Sequence, residues 1–106
     1  MLYIGDAVRG FLNLHDAPAK DLSRRVYNIA GIAPSAAELA QAIRTLVPKV
    51  QITYRPDPLK CAIAESWPHR IDDSAAHKDW GWDSTWNLER TTDEVIEVLR
   101  HEFASR

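Results

Sequence analysis

Apolar residues recur at helical spacing in the first half of the chain. One such run starts at Asp6, whose carboxylate is expected to cap a helix, and stops at Ala17-Pro18. A second run follows Ser35-Ala-Ala-Glu38, which fits a capping box, and Pro48 ends it. The apolar face predicted for the first helix consists of Val8, Phe11 and Leu12, with His15 as a further candidate.

The last part of the chain also has a helical pattern. Asn87 is a suitable N-cap, and charged residues alternate with apolar ones after it. The stripe expected to be buried consists of Leu88, Val95, Ile96, Leu99 and Phe103. A short helix running to about Trp80 is predicted before it, capped by Asp72 or Asp73, with Gly81 in the left-handed position that ends it.

Two short segments have the pattern of β-strands. Val26–Ala30 is an apolar run bounded by Gly31, and residues 50–54 alternate apolar and polar side chains. Strand, helix and strand in this order predict an α/β fold: a small βαβ unit with two short parallel strands and flanking helices. Two strands do not make a stable sheet alone, so we expect neighbours from this chain, a missing domain or a second copy. Leu59–Trp67 has no clear period and is interpreted as loop or short helix.

Composition limits the classes of protein that the chain can represent. The 106 residues are enough for one domain, residues 1–106, and the net charge of −2 gives no basic face for nucleic acid. No apolar run reaches membrane-spanning length. Cys61 is the single cysteine, so no internal disulfide forms and a cytoplasmic location is the simplest expectation. The chain begins in mid-pattern, as a piece of a longer protein would.

Motifs that would supply catalysis are missing from this sequence. The glycines at 5, 10, 31 and 81 do not form a dinucleotide-binding turn, and the histidines are too scattered for a zinc site. No tyrosine is followed four residues later by the lysine that would lower its pKa. We therefore predict no catalytic residue, bound cofactor or metal in this chain.

Several stretches resemble the extended short-chain dehydrogenase/reductases, the NAD-dependent epimerase/dehydratases. They include Tyr3-Ile-Gly-Asp-Ala-Val8, Tyr27-Asn-Ile-Ala-Gly31 and Ile52-Thr-Tyr-Arg-Pro-Asp57. The most specific stretch is Ile63-Ala-Glu-Ser-Trp-Pro68, followed by Ile71-Asp-Asp-Ser74 and Asp79-Trp-Gly-Trp82. Within the superfamily, the chain looks most like the short-chain type of L-threonine 3-dehydrogenases. Lys60-Cys61 departs from the family pattern, which usually has Arg-Gln there.

The resemblance implies a C-terminal substrate-binding lobe of a Rossmann-type oxidoreductase, without its nucleotide-binding domain. Relatives of full length use NAD and oxidise L-threonine to 2-amino-3-ketobutyrate, a small-molecule reaction. The implied partner of this chain is the missing Rossmann domain or a separate protein that supplies it. The chain itself is expected to be catalytically incomplete.

Trp67 matches a family tryptophan that lines the substrate site. A rigid indole can pack on a small substrate and exclude water. Ser66 and Glu65 flank it and are further candidates for substrate contact, although capping or surface roles are alternatives. We interpret Asp72, Asp73 and Ser74 as a helix cap, and Trp80 and Trp82 as core residues. Arg70 is interpreted as an exposed side chain, with contact to a substrate carboxylate or a sugar-nucleotide phosphate as the alternative.

Two other functional interpretations remain open. The chain could be part of a nucleotide-sugar epimerase or dehydratase, or a free-standing binding or assembly module without catalysis. Because strand edges and apolar residues would be left uncovered in an isolated lobe, self-association is also expected.

Overall fold

A computed structural model describes all 106 residues, and it contains helices but no β-strand. Its Cα radius of gyration is 17.4 Å and its extents are 53 × 38 × 22 Å. A compact domain of this length has a radius of gyration of about 13 Å, so the chain forms an extended layer. The elements are α1 Ile4–Asp16, a 3₁₀ turn Ala19–Asp21, α2 Ala36–Leu46, α3 Pro58–Glu65, α4 Ser74–Trp80 and α5 Leu88–Ala104.

The predicted ends of the helices are largely confirmed. Ser35 Oγ accepts the Glu38 N–H at 3.1 Å, and the Glu38 carboxylate accepts the Ser35 N–H at 2.7 Å, so the capping box starts α2. The Asn87 side chain accepts the Arg90 N–H at 2.8 Å and starts α5. Gly81 has φ 71° and ends α4. Local sequence decides these ends because each cap is made within a few residues.

The residues before Trp67 form a helix, α3, whose end overlaps the stretch Ile63–Pro68, referred to here as the Trp67 motif. Asp57 caps it by accepting the Lys60 N–H at 3.1 Å, and Pro58 occupies the first turn. Proline suits that position because its missing N–H would have no partner there. This settles the interpretation of Leu59–Trp67 in favour of a short helix that ends at Glu65.

The prediction of two parallel strands is wrong. No backbone–backbone hydrogen bond joins segment 26–30 to segment 50–54, and the Ala30 N–H instead donates to Asp73 Oδ2 at 3.1 Å. An alternating pattern indicates which side chains share a face, but a strand forms only where another strand lies beside it. Here α2 lies between the two segments in the chain and contacts α5 rather than bringing them together.

The core is centred on Trp82, which has 0% of its surface exposed. Trp82 lies in the irregular segment between α4 and α5, and its Nε1 donates to Asp73 Oδ2 at 3.1 Å. Gly10 of α1 permits close approach, since a Cβ there would lie 3.2 Å from Trp82 Cζ3 and 3.0 Å from Ile29 Cδ1. The core role predicted for Trp82 is therefore confirmed.

Asp6 does not cap α1 as predicted. The helix already begins at Ile4, and the buried Asp6 carboxylate accepts the Thr85 N–H and Trp86 N–H at 3.1 Å each. The Thr85 hydroxyl and the Arg9 guanidinium also donate to it, at 2.9 and 3.0 Å. Burial alone would raise the pKa of Asp6, but the hydrogen bonds from Arg9, Thr85 and Trp86 outweigh it and lower that pKa. Asp6 thus fixes the segment before α5 onto α1.

Much of the apolar surface of the helices is uncovered. The predicted stripe of α5 is only partly buried: Leu88 and Ile96 are half-buried, whereas Val95, Leu99 and Phe103 are exposed. The apolar face of α1, formed by Ile4, Val8, Phe11 and Leu12, is also exposed, with Phe11 at 77%. An amphipathic pattern predicts an apolar helix face that packs against another element. In this single layer no such element covers these faces. None of the helices combines the length and apolarity needed to cross a membrane.

Replacing Asp6 with Ala is expected to lower the free energy of unfolding by about 3 kcal/mol, because two backbone N–H groups and Arg9 lose their acceptor. Urea unfolding followed by tryptophan fluorescence measures this change. Glu102→Ala is the matched control, since it removes the same charge from the exposed end of α5. Equal stability of the two variants would contradict the structural role assigned to Asp6.

Candidate functional site

The predicted site residues lie at the end of α3. Glu65 is the last residue of this helix, Ser66 is its C-cap, and Trp67 follows. All three side chains are exposed, Trp67 by 65%. The three residues are brought together by sequence adjacency, and none of them is part of the Trp82 core.

The hydrogen bonds of these residues leave specific atoms free. The Ser66 hydroxyl donates to the Ile63 carbonyl oxygen at 2.6 Å, so its proton is used to end the helix. The Trp67 N–H donates to the Ala64 carbonyl oxygen at 3.2 Å, which fixes the backbone but not the indole. The Ser66 oxygen can still accept a hydrogen bond, and the Trp67 indole N–H can still donate one.

Exposed apolar side chains lie along α3 and just beyond its end. Leu59 and Ile63 are four residues apart on one face of the helix, Trp67 follows the C-cap, and all three are exposed. We refer to these residues as the α3 ridge. No residue of α3 is buried.

A cleft of about 430 Å³ opens directly after Trp67 in the chain. It lies between residues 30–33 and residues 68–71, with Met1, Asp73 and Ser84 completing its lining. Arg70 and His69 are in this lining, whereas Trp67, Ser66 and Glu65 are not. A larger cleft of about 710 Å³ between α2 and α5 contains no residue of the Trp67 motif.

Asp72 and Asp73, which follow the cleft residues in the sequence, stabilise the fold. Asp72 Oδ1 accepts the Ser74 N–H at 3.0 Å, and this hydrogen bonding to Ser74 lowers the pKa of Asp72. Asp73 Oδ2 accepts from Ala30 and Trp82, and Asp73 Oδ1 lies 3.2 Å from His77 Nε2. Asp73 occupies the N-cap position of α4 without a side-chain cap hydrogen bond, and Asp72, one residue earlier, accepts the N–H of the first helical residue instead. Asp73 makes tertiary contacts that the local sequence did not indicate.

Asp79 is a further carboxylate that joins distant segments of the chain, and the sequence did not predict this role. Its Oδ2 accepts the Ser23 hydroxyl at 2.5 Å, the Tyr27 hydroxyl at 2.6 Å and the Ser23 N–H at 3.0 Å. These bonds from Ser23 and Tyr27 lower the pKa of Asp79 to about 2. The partners lie more than fifty residues away in sequence, at separations of 52 and 56, so only the Asp-Trp-Gly motif could have drawn attention to this side chain.

The glycines do not form a cradle for a dinucleotide. Gly10 faces Trp82, and a Cβ at Gly31 would clash with the Met1 carbonyl oxygen, so both serve close packing within the chain. Gly81 ends a helix rather than starting one. No group of three or more His, Cys, Asp or Glu side chains is arranged to hold a metal ion. The residues present therefore do not fit the NAD that the resemblance implies for full-length relatives.

Comparison with known proteins gives first the class of the relatives. No family model matches the chain. An uncharacterized epimerase/dehydratase of Staphylococcus saprophyticus is 29% identical over 100 residues, which are 93% of this chain and 31% of that protein. The chain thus resembles a portion of an epimerase/dehydratase.

Within this class the chain is similar to L-threonine 3-dehydrogenases, as its motifs indicated. The mitochondrial enzyme of Bos taurus is 48% identical over 88 residues, 83% of this chain. The GalE-like L-threonine dehydrogenase of Cupriavidus necator, in its apo form, superimposes on 93% of the chain with a TM-score of 0.86 and 45% identity. The chain spans 24% of the first protein and 36% of the second, so it corresponds to a fraction of either.

The Asp79 contacts predict a pH-dependent difference between the native chain and Asp79→Asn. Because the folded pKa is about 2 and the unfolded value is near 3.8, the stabilisation is present above pH 4. It is lost as the pH falls from about 4 towards 2. The urea midpoint of the native chain should exceed that of Asp79→Asn above pH 4, and the difference should disappear as the pH approaches 2. A difference in midpoint that does not depend on pH would contradict the role assigned to the Asp79 carboxylate.

Proposed function

We propose that this chain forms the substrate-facing wall of an NAD-dependent oxidoreductase that acts on L-threonine, with Trp67 as its principal contact residue. The observation that carries the proposal is the free Trp67 indole at the end of the α3 ridge, within the motif shared with the resembled family. Ser66 and Glu65 are proposed to contribute polar contacts beside it. The full enzyme would pass a hydride from the threonine β-carbon to NAD.

Trp67 has the properties of a substrate contact rather than of a core residue. The rings of Trp80 and Trp82 pack at a tilt of 51° with centroids 5.9 Å apart, and Trp86 stacks on Tyr3 at 3.9 Å. Trp67 has no such aromatic partner and is 65% exposed. The Trp67 indole is removed from water only when a ligand or another domain packs on it. A small substrate with a methyl group would supply part of that contact.

The chemistry itself is proposed to lie outside these residues. Oxidation of an alcohol requires a group that removes the hydroxyl proton and a bound acceptor for the hydride. The described residues do not include a Tyr–Lys pair at the required spacing or a dinucleotide cradle. The chain is therefore proposed to orient and enclose substrate and to be inactive alone.

The partner that completes the site is proposed to be the remainder of a longer protein, or a separate protein of the same type. The apolar face of α1 and the α3 ridge are exposed, and segments 26–30 and 50–54 form no backbone hydrogen bonds with each other. Exposed apolar surface of this kind is typical of a region that contacts another protein or domain. A Rossmann-type domain with helices and strand edges would cover these features.

A nucleotide-sugar epimerase or dehydratase is the second candidate function. It is supported by the similarity to uncharacterized epimerase/dehydratases, such as the one from Staphylococcus aureus that is 31% identical over 100 residues. The Glu65-Ser66-Trp67-Pro68 motif and the higher identity to L-threonine 3-dehydrogenases favour the first candidate.

A reducing compartment such as the cytoplasm is proposed for the protein. Cys61 is exposed on α3 as a free thiol. Exposed thiols persist in reduced form where glutathione and thioredoxin act.

Trp67→Ala is expected to lower kcat/KM for L-threonine roughly 10- to 100-fold, because about 1.5–3 kcal/mol of apolar contact is lost. The test uses a chimera in which this chain replaces the matching part of the Cupriavidus necator enzyme, whose fold it shares with a TM-score of 0.86. NADH formation is followed by absorbance.

Two controls make this experiment decisive. Phe103→Ala removes an aromatic ring of similar exposure, 67%, from the end of α5 and should leave kcat/KM unchanged. The 106-residue chain without the remainder should form no NADH. Sustained turnover by the chain alone, or an unaffected Trp67→Ala chimera, would overturn the proposal.

The isolated chain is also proposed to self-associate through the apolar face of α1. Sedimentation velocity over a concentration series should show a rising sedimentation coefficient, and Phe11→Glu should reduce it by placing a charge on that face. Ala19→Glu adds the same charge at an exposed position beyond the end of α1 and serves as the control. A monomer at all concentrations would refute self-association.

A further inference from the structure

We propose that the cleft after the Trp67 motif is an oxyanion-binding site, in which Arg70 and His69 bind the anionic group of the substrate. The shared chemistry is a planar or tetrahedral oxyanion, either the carboxylate of an amino acid or the phosphate of a nucleotide sugar. The inference rests on the proposed function, because it adds a second contact region to the substrate wall formed by Trp67.

The cleft is formed by tertiary contacts between distant segments. Its walls come from two segments that are distant in sequence, residues 30–33 and residues 68–71. They are joined by Asp73, which accepts the Ala30 N–H at 3.1 Å. The volume of about 430 Å³ falls within the range of small-ligand pockets.

The positive charge in the cleft has no partner within the chain. Arg70 and His69 make no hydrogen bond or ion pair, unlike Arg9 and Arg100, whose guanidinium groups are bonded to carboxylates. Asp73 is the acidic residue in the lining, and its oxygens are engaged by Ala30, Trp82 and His77. The Met1 amino group also lines the cleft and donates to the Ile32 carbonyl oxygen at 2.5 Å.

The chemistry of Arg70 suits an oxyanion. Its guanidinium is planar and always charged, and its fork of N–H donors matches two oxygens of a carboxylate or phosphate. Ala33, one of the wall residues, has a side chain of a single methyl group. His69 adds a ring N–H donor to the same lining.

The site lies within reach of Trp67. Three residues of fully extended chain span at most about 10 Å, so the backbones of Trp67 and Arg70 are no farther apart than that. A ligand with an apolar part and an anionic part could therefore contact the indole with the first and the guanidinium with the second. L-Threonine and nucleotide sugars both have such a division.

Binding of inorganic phosphate to the 106-residue chain, followed by NMR chemical shifts, tests the site directly. The native chain should show saturable shifts at residues 31–33 and 69–71. Arg70→Gln should weaken binding about tenfold, since hydrogen bonds to a charged group are lost. Arg25→Gln removes an equal charge from an exposed position outside the cleft lining and should have no effect. No saturable shifts in the native chain, or equal affinity in Arg70→Gln, would overturn the site.

Paired ligands then distinguish the two sources of the anion. If the natural anion is a carboxylate, L-threonine should bind the cleft and L-threoninamide should not. If it is a phosphate, UDP should bind and uridine should not. Loss of discrimination in both pairs would overturn the assignment of Arg70 to an anion.

The same Cupriavidus chimera separates this inference from the proposed function. If Arg70→Gln raises KM and Trp67→Ala impairs turnover, the oxyanion site and the proposed function are both supported. If Trp67→Ala impairs turnover and Arg70→Gln does not change KM, the oxyanion site fails alone. If the chimera binds phosphate through Arg70 but Trp67→Ala has no effect, the proposed function fails and the anion site remains.

Discussion

The hydrogen bond from the buried Trp82 indole to Asp73 determines how the other segments are placed. Asp73 accepts it with the same oxygen that accepts the Ala30 N–H, so one carboxylate holds both the segment before α5 and the segment before α2. Trp82 in turn packs against Gly10 of α1, with the Arg9 guanidinium 4.9 Å from its ring centroid. Burying a tryptophan is strongly favourable only when its N–H has an acceptor, which Asp73 supplies.

Acidic side chains, rather than a sheet, connect the layer. Asp6 joins α1 to residues 85–86, Asp73 joins residue 30 to Trp82, and Asp79 joins α4 to Ser23 and Tyr27. Each carboxylate satisfies backbone or hydroxyl donors that would otherwise lack a partner. The apolar face of α1 and the α3 ridge remain exposed and are available for contact with another body.

The site and the scaffold share a single stretch of sequence. Residues 72–82 are used for capping and core contacts, whereas residues 65–70 are all exposed. A density of Trp, His and Asp is therefore a poor indicator of a site by itself. Trp67 and Arg70 differ from Asp72, Asp73 and Trp82 in that their side chains make no hydrogen bond within the chain.

Much of the local structure could be predicted from the sequence. The capping box at Ser35, the Asn87 cap and the glycine end at Gly81 were correct, as was the core role of Trp82, and the motifs correctly indicated resemblance to L-threonine 3-dehydrogenases. The predicted strands failed because alternation specifies a face but not a neighbour. The cap assigned to Asp6 failed because its carboxylate found donors 79 and 80 residues away.

The sequence by itself determined where helices begin and end and which family the chain resembles, because caps and motifs depend on residues close together in the chain. The tertiary structure alone decided the partners of Asp6, Asp73 and Asp79, the exposure of the α1 and α5 faces, and the cleft beside Arg70. These features depend on contacts between distant segments, and on surface left without cover, which no local pattern specifies.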